Sequence, residues 1–145
     1  MAERRITGAT RRARQMMVGG VIAGHAVGLG VCSLALATGS RAALVGAAIG
    51  FAAVLLFFSV GQAIEVVACE LPPVQGLGIV LASYAIRVVG IGAGLWYVTG
   101  HPRLGPATDE RWLALTVVVT VLAWTTGVVL VARRQRVPIY DIHDA

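Results

Sequence analysis

Four apolar runs, at about 17–37, 42–69, 76–99 and 112–132, take up most of this 145-residue chain. Each is about 20 residues or longer, and a helix of ~20 residues rises ~30 Å, the thickness of a bilayer's hydrocarbon core. Few folds accommodate such a pattern. Hydrophobic residues make up 57% of the chain and charged residues 13%, the latter about half the share of an ordinary soluble domain. A soluble domain this small has too little interior to hide so much apolar surface, so the bilayer is the expected solvent. The expected fold class is an all-α membrane protein with four transmembrane helices in two hairpins.

The connections between the runs carry the chemistry of turns. Thr38-Gly39-Ser40-Arg41 is a tight polar link. Pro72-Pro73 stops the second helix, because the residue before a proline is pushed out of the αR region. The segment from Gly100 to Arg111 holds Pro102, Gly105 and Pro106. It ends in Thr108-Asp109-Glu110, an N-cap pattern whose acids suit the positive end of a helix dipole. The expected plan is a basic segment 1–16, a four-span bundle 17–132 and a tail 133–145.

Arginine placement sets the expected orientation. The N-terminal segment carries Arg4, Arg5, Arg11, Arg12 and Arg14, and the tail carries Arg133, Arg134 and Arg136, whereas the short connections hold only Arg41, Arg103 and Arg111. The positive-inside rule then places both termini in the cytoplasm, which requires an even number of spans, and the expected location is the inner (plasma) membrane. Trp96, Tyr97 and Trp112 fall at the outer interface, where aromatic rings gather. A rival reading makes the first run a signal peptide, with Ala35-Leu36-Ala37 as a cleavage-like site. That run is longer than an ordinary signal core, and three more spans follow it.

A net charge of +5 and a pI of 10.2 do not point to nucleic acid, because the arginines flank apolar spans instead of forming a face with interleaved aromatics. The basic ends are expected to attract anionic lipids, at roughly 1 kcal/mol per arginine near the surface. Cys32 and Cys69 lie toward opposite membrane faces in this topology and are expected to stay unpaired. They also lack the histidine spacing of a metal site.

Ionisable residues inside the runs are costly and therefore informative. An arginine at the centre of a span costs roughly 3 kcal/mol on insertion scales. Taking ~1.5 Å per residue, Arg87 lies ~16 Å from its span's cytoplasmic end, His25 ~12 Å, Gln62 ~10 Å and Glu65 ~6 Å. Ser59, Gln62 and Glu65 recur every three residues and share one drifting helix face. With His25 they form a candidate polar network. By this arithmetic Arg87 is level with Phe58 and Ser59, so a direct pair with Glu65 needs the arginine to snorkel. Arg87 requires either an internal acceptor or a carboxylate from another chain. Glu65 itself reads as readily as interfacial, and His25 reads first as a packed bundle histidine.

Small residues are the other organised signal. Gly20, Gly24 and Gly28 are spaced four apart, as are Gly46 and Gly50, and Gly90, Gly92 and Gly94 follow Arg87. Such stripes let helices approach closely. They serve either internal packing or a docking surface for a partner's helix. No catalytic motif accompanies them: there is no nucleophile elbow, His-Glu metal motif, phosphate loop or dinucleotide fingerprint. No catalytic residue, cofactor site or metal site is expected. His101 with Asp109 and Glu110 is the nearest approach to a cation site, and Arg103 and Arg111 oppose it.

The whole pattern resembles the ATP synthase protein I family, and its actinobacterial members in particular. The resemblance is carried by four short-looped spans, by the basic residue midway through the third span in Ala82-Ser83-Tyr84-Ala85-Ile86-Arg87, and by the tail with its Arg-Val-Pro-Ile-Tyr-Asp ending, Arg136 to Asp141. Many family members carry Gly-Glu ahead of the basic residue, and this chain has no acid there. The resemblance implies a non-enzymatic accessory protein that helps the c subunits of an F-type ATP synthase form their ring, in contact with the c subunit and other membrane subunits. In that setting Arg87 is expected to act as a counter-charge to the c subunit's mid-membrane carboxylate, with Gly90, Gly92 and Gly94 allowing close contact. The competing expectation is a small homo-oligomeric ion or proton transporter or channel, magnesium transport included, with a pathway through His25, Gln62, Glu65 and Arg87.

Overall fold

A computed structural model describes residues 8–135. Arg4, Arg5 and the end of the tail from Arg136 onward, which enter the orientation argument and the resemblance, lie outside the described residues. The chain is an all-α, four-helix membrane fold: α1 (Gly8–Thr38), α2 (Arg41–Ala68), α3 (Pro73–Gly100) and α4 (Glu110–Arg134). All four are long and apolar enough to cross a membrane.

The helices begin and end where their chemistry directs. Ser40 caps α2 by accepting a hydrogen bond from the Ala43 amide at 3.2 Å. Pro73 opens α3 at a position where its missing N–H costs nothing. Asp109 caps α4, accepting from the amides of Arg111 at 2.9 Å and Trp112 at 3.3 Å. The first helix begins well before the apolar run at 17. Arg11, Arg12 and Arg14 are helical, and α1, at 31 residues, is ~46 Å long. It therefore extends beyond the hydrocarbon by several turns.

α1, α2 and α4 form a three-helix core, with α3 packed mainly on α2. The glycine stripes serve this core. Trp124 of α4, 1% exposed, lies against α1 where Gly20 and Gly24 leave room; a Cβ at Gly20 would come within 2.6 Å of its indole nitrogen. Gly28 likewise faces Phe51 of α2, and Gly46 and Gly50 face the α4 backbone at Asp109 and Leu113. For these five glycines internal packing is the reading that holds. Ala35, Ala43 and Ala47 form a second buried cluster under Trp112, whose ring turns inward, while Trp96 and Tyr97 stay exposed.

Polar contacts place the ends. The Asp109 amide donates to the Ala42 carbonyl at 3.0 Å, joining the α1–α2 and α3–α4 connections at one end. At the other end Gln135 donates to the Arg12 carbonyl at 3.1 Å, and the Thr10 hydroxyl donates to Glu70 at 3.4 Å. The described ends of the chain and the α2–α3 turn therefore lie together. Cys32 and Cys69 are free.

Candidate functional site

The second helix brings Gly61, Gln62 and Glu65 onto its α3-facing side, and the third brings Ser83 and Arg87 against them. Arg87 Nη2 donates to Glu65 Oε1 at 2.5 Å. Gln62 Nε2 donates to the other carboxylate oxygen at 2.7 Å, and the Ser83 hydroxyl lies 3.3 Å from Oε1 while also bonding the Val80 carbonyl at 2.8 Å. The carboxylate thus has three donors around it. The Arg87 and Glu65 side chains are 6% and 16% exposed, so the pair sits inside the α2–α3 interface.

The direction of the Cα–Cβ bond explains how residues at different depths meet. In a helix this bond tilts toward the N-terminus. α3 starts at the end of the bundle that holds the chain termini, so Arg87 leans toward that end. α2 starts at the opposite end, so Glu65 leans toward mid-bilayer. Two antiparallel helices therefore aim the two side chains at each other. The guanidinium also meets two aromatic rings, its Cζ lying 5.3 Å from the Phe58 ring centroid and 4.9 Å from that of Tyr84. These aromatic faces add cation–π contact to a cation held out of water.

Gly61 makes the arrangement possible. A Cβ there would fall within the guanidinium, 2.8 Å from Cζ. Arg87 Nε is buried without a hydrogen-bond partner. The result is a charged latch fixing the register of α3 on α2. Breaking such a pair by removing one partner leaves a buried uncompensated charge.

No family model, curated protein or solved structure matches this chain.

Of the expected polar network, Gln62 and Glu65 come together, joined by Arg87 and Ser83. His25 is elsewhere: its Nδ1 is 2.8 Å from the Val21 carbonyl, and its ring meets Phe51 edge-on at 5.7 Å. Ser59 contributes no side-chain hydrogen bond to the cluster. Arg87 does not await a carboxylate from another chain, because Glu65 supplies the internal acceptor. The three glycines after it also separate. Gly90 is taken up by the Phe57 ring, whereas Gly92 and Gly94 have open space where a side chain would stand. His101 accepts from the amides of Arg103 and Leu104 at 3.2 and 3.4 Å, closing a turn. Among the described residues no group of histidine, cysteine and acidic side chains is arranged to hold a metal ion.

One flank of the α2–α3 seam is an apolar groove. Three hollows of about 450, 400 and 310 Å³ follow one another along it. On α3 they are lined by Ile79, Ile86, Gly90, Gly94 and Val98, and on α2 by Ile64, Val60, Phe57, Ala53 and Ile49. These spacings of three, four or seven hold one face of each helix. From Ile79 to Val98 these hollows are spread over ~28 Å of α3, close to the hydrocarbon thickness. Gly61, Ala53 and Phe57 were not singled out by motif, and Ser83 only as one of the residues leading up to Arg87. Gly61 had a readable signal, one turn before an intramembrane acid.

Proposed function

We propose that this protein is a non-enzymatic membrane accessory factor whose α2–α3 groove receives a transmembrane helix of a partner. The observation that carries the reading is the groove itself: apolar, spread over about the thickness of the bilayer, and lined by the small residues Ala53 and Gly94. Helix association in lipid depends on close backbone approach at small residues, since apolar side chains gain little by leaving lipid. The buried Arg87–Glu65 pair supports the same reading, because it holds α3 in register on α2 and so keeps the groove in shape.

The resemblance to the ATP synthase protein I family makes the c subunit of an F-type ATP synthase the partner of choice, with ring assembly in the inner membrane as the task and both termini in the cytoplasm. In this account Arg87 acts as a latch inside the protein, and a counter-charge role toward the partner's carboxylate requires exchange with Glu65. Purification of the tagged protein from its native membranes in gentle detergent tests the reading. Recovery of c subunit, lost when Ala53→Leu and Gly94→Leu fill the groove, supports it. Recovery of a homo-oligomer alone, with ion flux in liposomes that Glu65→Gln abolishes, replaces it with the transport reading that the intramembrane polar cluster favours.

A further inference from the structure

A second groove lies on the other side of the bundle, along the seam of α1 and α4. Two hollows of about 520 and 250 Å³ share Gly19, Ile22 and Val131 and so form one channel on the surface. Gly19 and Gly127 floor it, their backbones so close that a Cβ at Gly19 would come within 2.9 Å of the Gly127 carbonyl oxygen. Val18 and Ile22 line the α1 wall. Both are exposed, at 55% and 64%.

The two ends of the channel differ in chemistry. Toward the chain termini it opens between Arg11 and Arg14 of α1, with Arg134 of α4 at its side. Arg11 and Arg14, three apart, are on one helix face above Val18 and Ile22. None of the three arginines has an ion-pair partner among the described residues, and none of the acids Glu65, Glu70, Asp109 or Glu110 lines the channel. Away from the termini the lining is apolar, ending at Ala23 and Gly127. From Arg11 to Ala23 the channel extends ~18 Å, about one leaflet with its headgroup layer.

We propose that this channel binds one anionic phospholipid from the leaflet at the termini end, its phosphate between Arg11, Arg14 and Arg134 and an acyl chain along Val18, Ile22 and Val131. Guanidiniums without an ion-pair partner among the described residues, set at headgroup level above an apolar trough, complement a negative phosphate attached to a hydrocarbon chain. Arginine forks also bind phosphate oxygens two at a time.

Native mass spectrometry of the full-length protein in a nonionic detergent, titrated with dioleoyl phosphatidylglycerol or dioleoyl phosphatidylcholine, tests this. The expected result is one phosphatidylglycerol retained per chain, in preference to phosphatidylcholine. Arg11→Gln with Arg14→Gln lowers that affinity roughly fivefold per arginine, about 25-fold together. Arg12→Gln with Arg133→Gln removes the same charge beside the channel and is expected to change affinity little. Ile22→Trp fills the trough and lowers retention with every arginine in place. Equal retention of the two lipids overturns the proposal. So does an equal loss from the two arginine pairs, which makes the attraction a general surface effect. Displacement of the lipid by inorganic phosphate alone also overturns it, since the acyl trough then contributes nothing.

Discussion

The guanidinium of Arg87 occupies the space that a side chain at position 61 would fill, and Gly61 is what allows α3 to carry its charge into the α2 interface. One absent Cβ on α2 thereby sets the environment of the only charged residue of α3.

Gly61→Leu is therefore expected to expel Arg87 from Glu65 and to destabilise the α2–α3 pair by about 3 kcal/mol, the scale for breaking a buried ion pair. Thermal unfolding in detergent measures it. Gly78→Leu, placed where nothing lies within 4 Å, serves as the control and is expected to change little.

A double-mutant cycle at Arg87 and Glu65 separates the pair from its surroundings. Arg87→Met leaves Glu65 with Gln62 and Ser83 as donors, whereas Glu65→Leu leaves a buried guanidinium with no acceptor. The second single change is expected to cost more than the first. The double variant is expected to cost less than the two singles combined, by about 1–2 kcal/mol. Unfolding titrations in mixed micelles give the four values, and strict additivity would show that the two residues are not energetically coupled.

Trp124 anchors α4 over the small-residue face of α1. Trp124→Ala is expected to cost about 3–5 kcal/mol by opening a cavity between the two helices. Trp124→Phe is expected to cost much less, because the indole N–H is buried without a hydrogen-bond partner and its removal forfeits no bond. Denaturation midpoints of the two variants check the order.

Asp109 starts α4 by accepting from two amides. Asp109→Ala is expected to lower stability by about 1 kcal/mol, and Asp109→Asn by a fraction of that. Amide hydrogen exchange in the first turn of α4 is expected to quicken in the alanine variant alone.

The spans, their number and their stops were legible because apolar run length and the Pro72-Pro73 and Asp109 signals act locally. Arg87 also announced itself, since no stretch of its span brings it near an interface. Its partner was harder to read. Depth counted along Cα atoms put Glu65 too far away, and the Cβ tilt that brings the two together in antiparallel helices is invisible to such counting. The fate of each glycine was hidden for a related reason. A stripe such as Gly20-Gly24-Gly28 signals close approach without saying whether the approaching group is Trp124 of the same chain or another protein's helix. Gly90 and Gly94 share a sequence stretch and a spacing, but only Phe57 distinguishes them, and Phe57 comes from another helix.

The most direct test of the central claim is a photo-crosslinker placed at Ala53 or Gly94 inside the α2–α3 groove and, separately, at Val118 or Leu122 on the exposed face of α4, with the full-length protein in its native membranes. The account predicts covalent adducts with the ATP synthase c subunit from the groove positions and none from α4. Adducts with lipid alone from the groove, or c-subunit adducts equally from both faces, would contradict it.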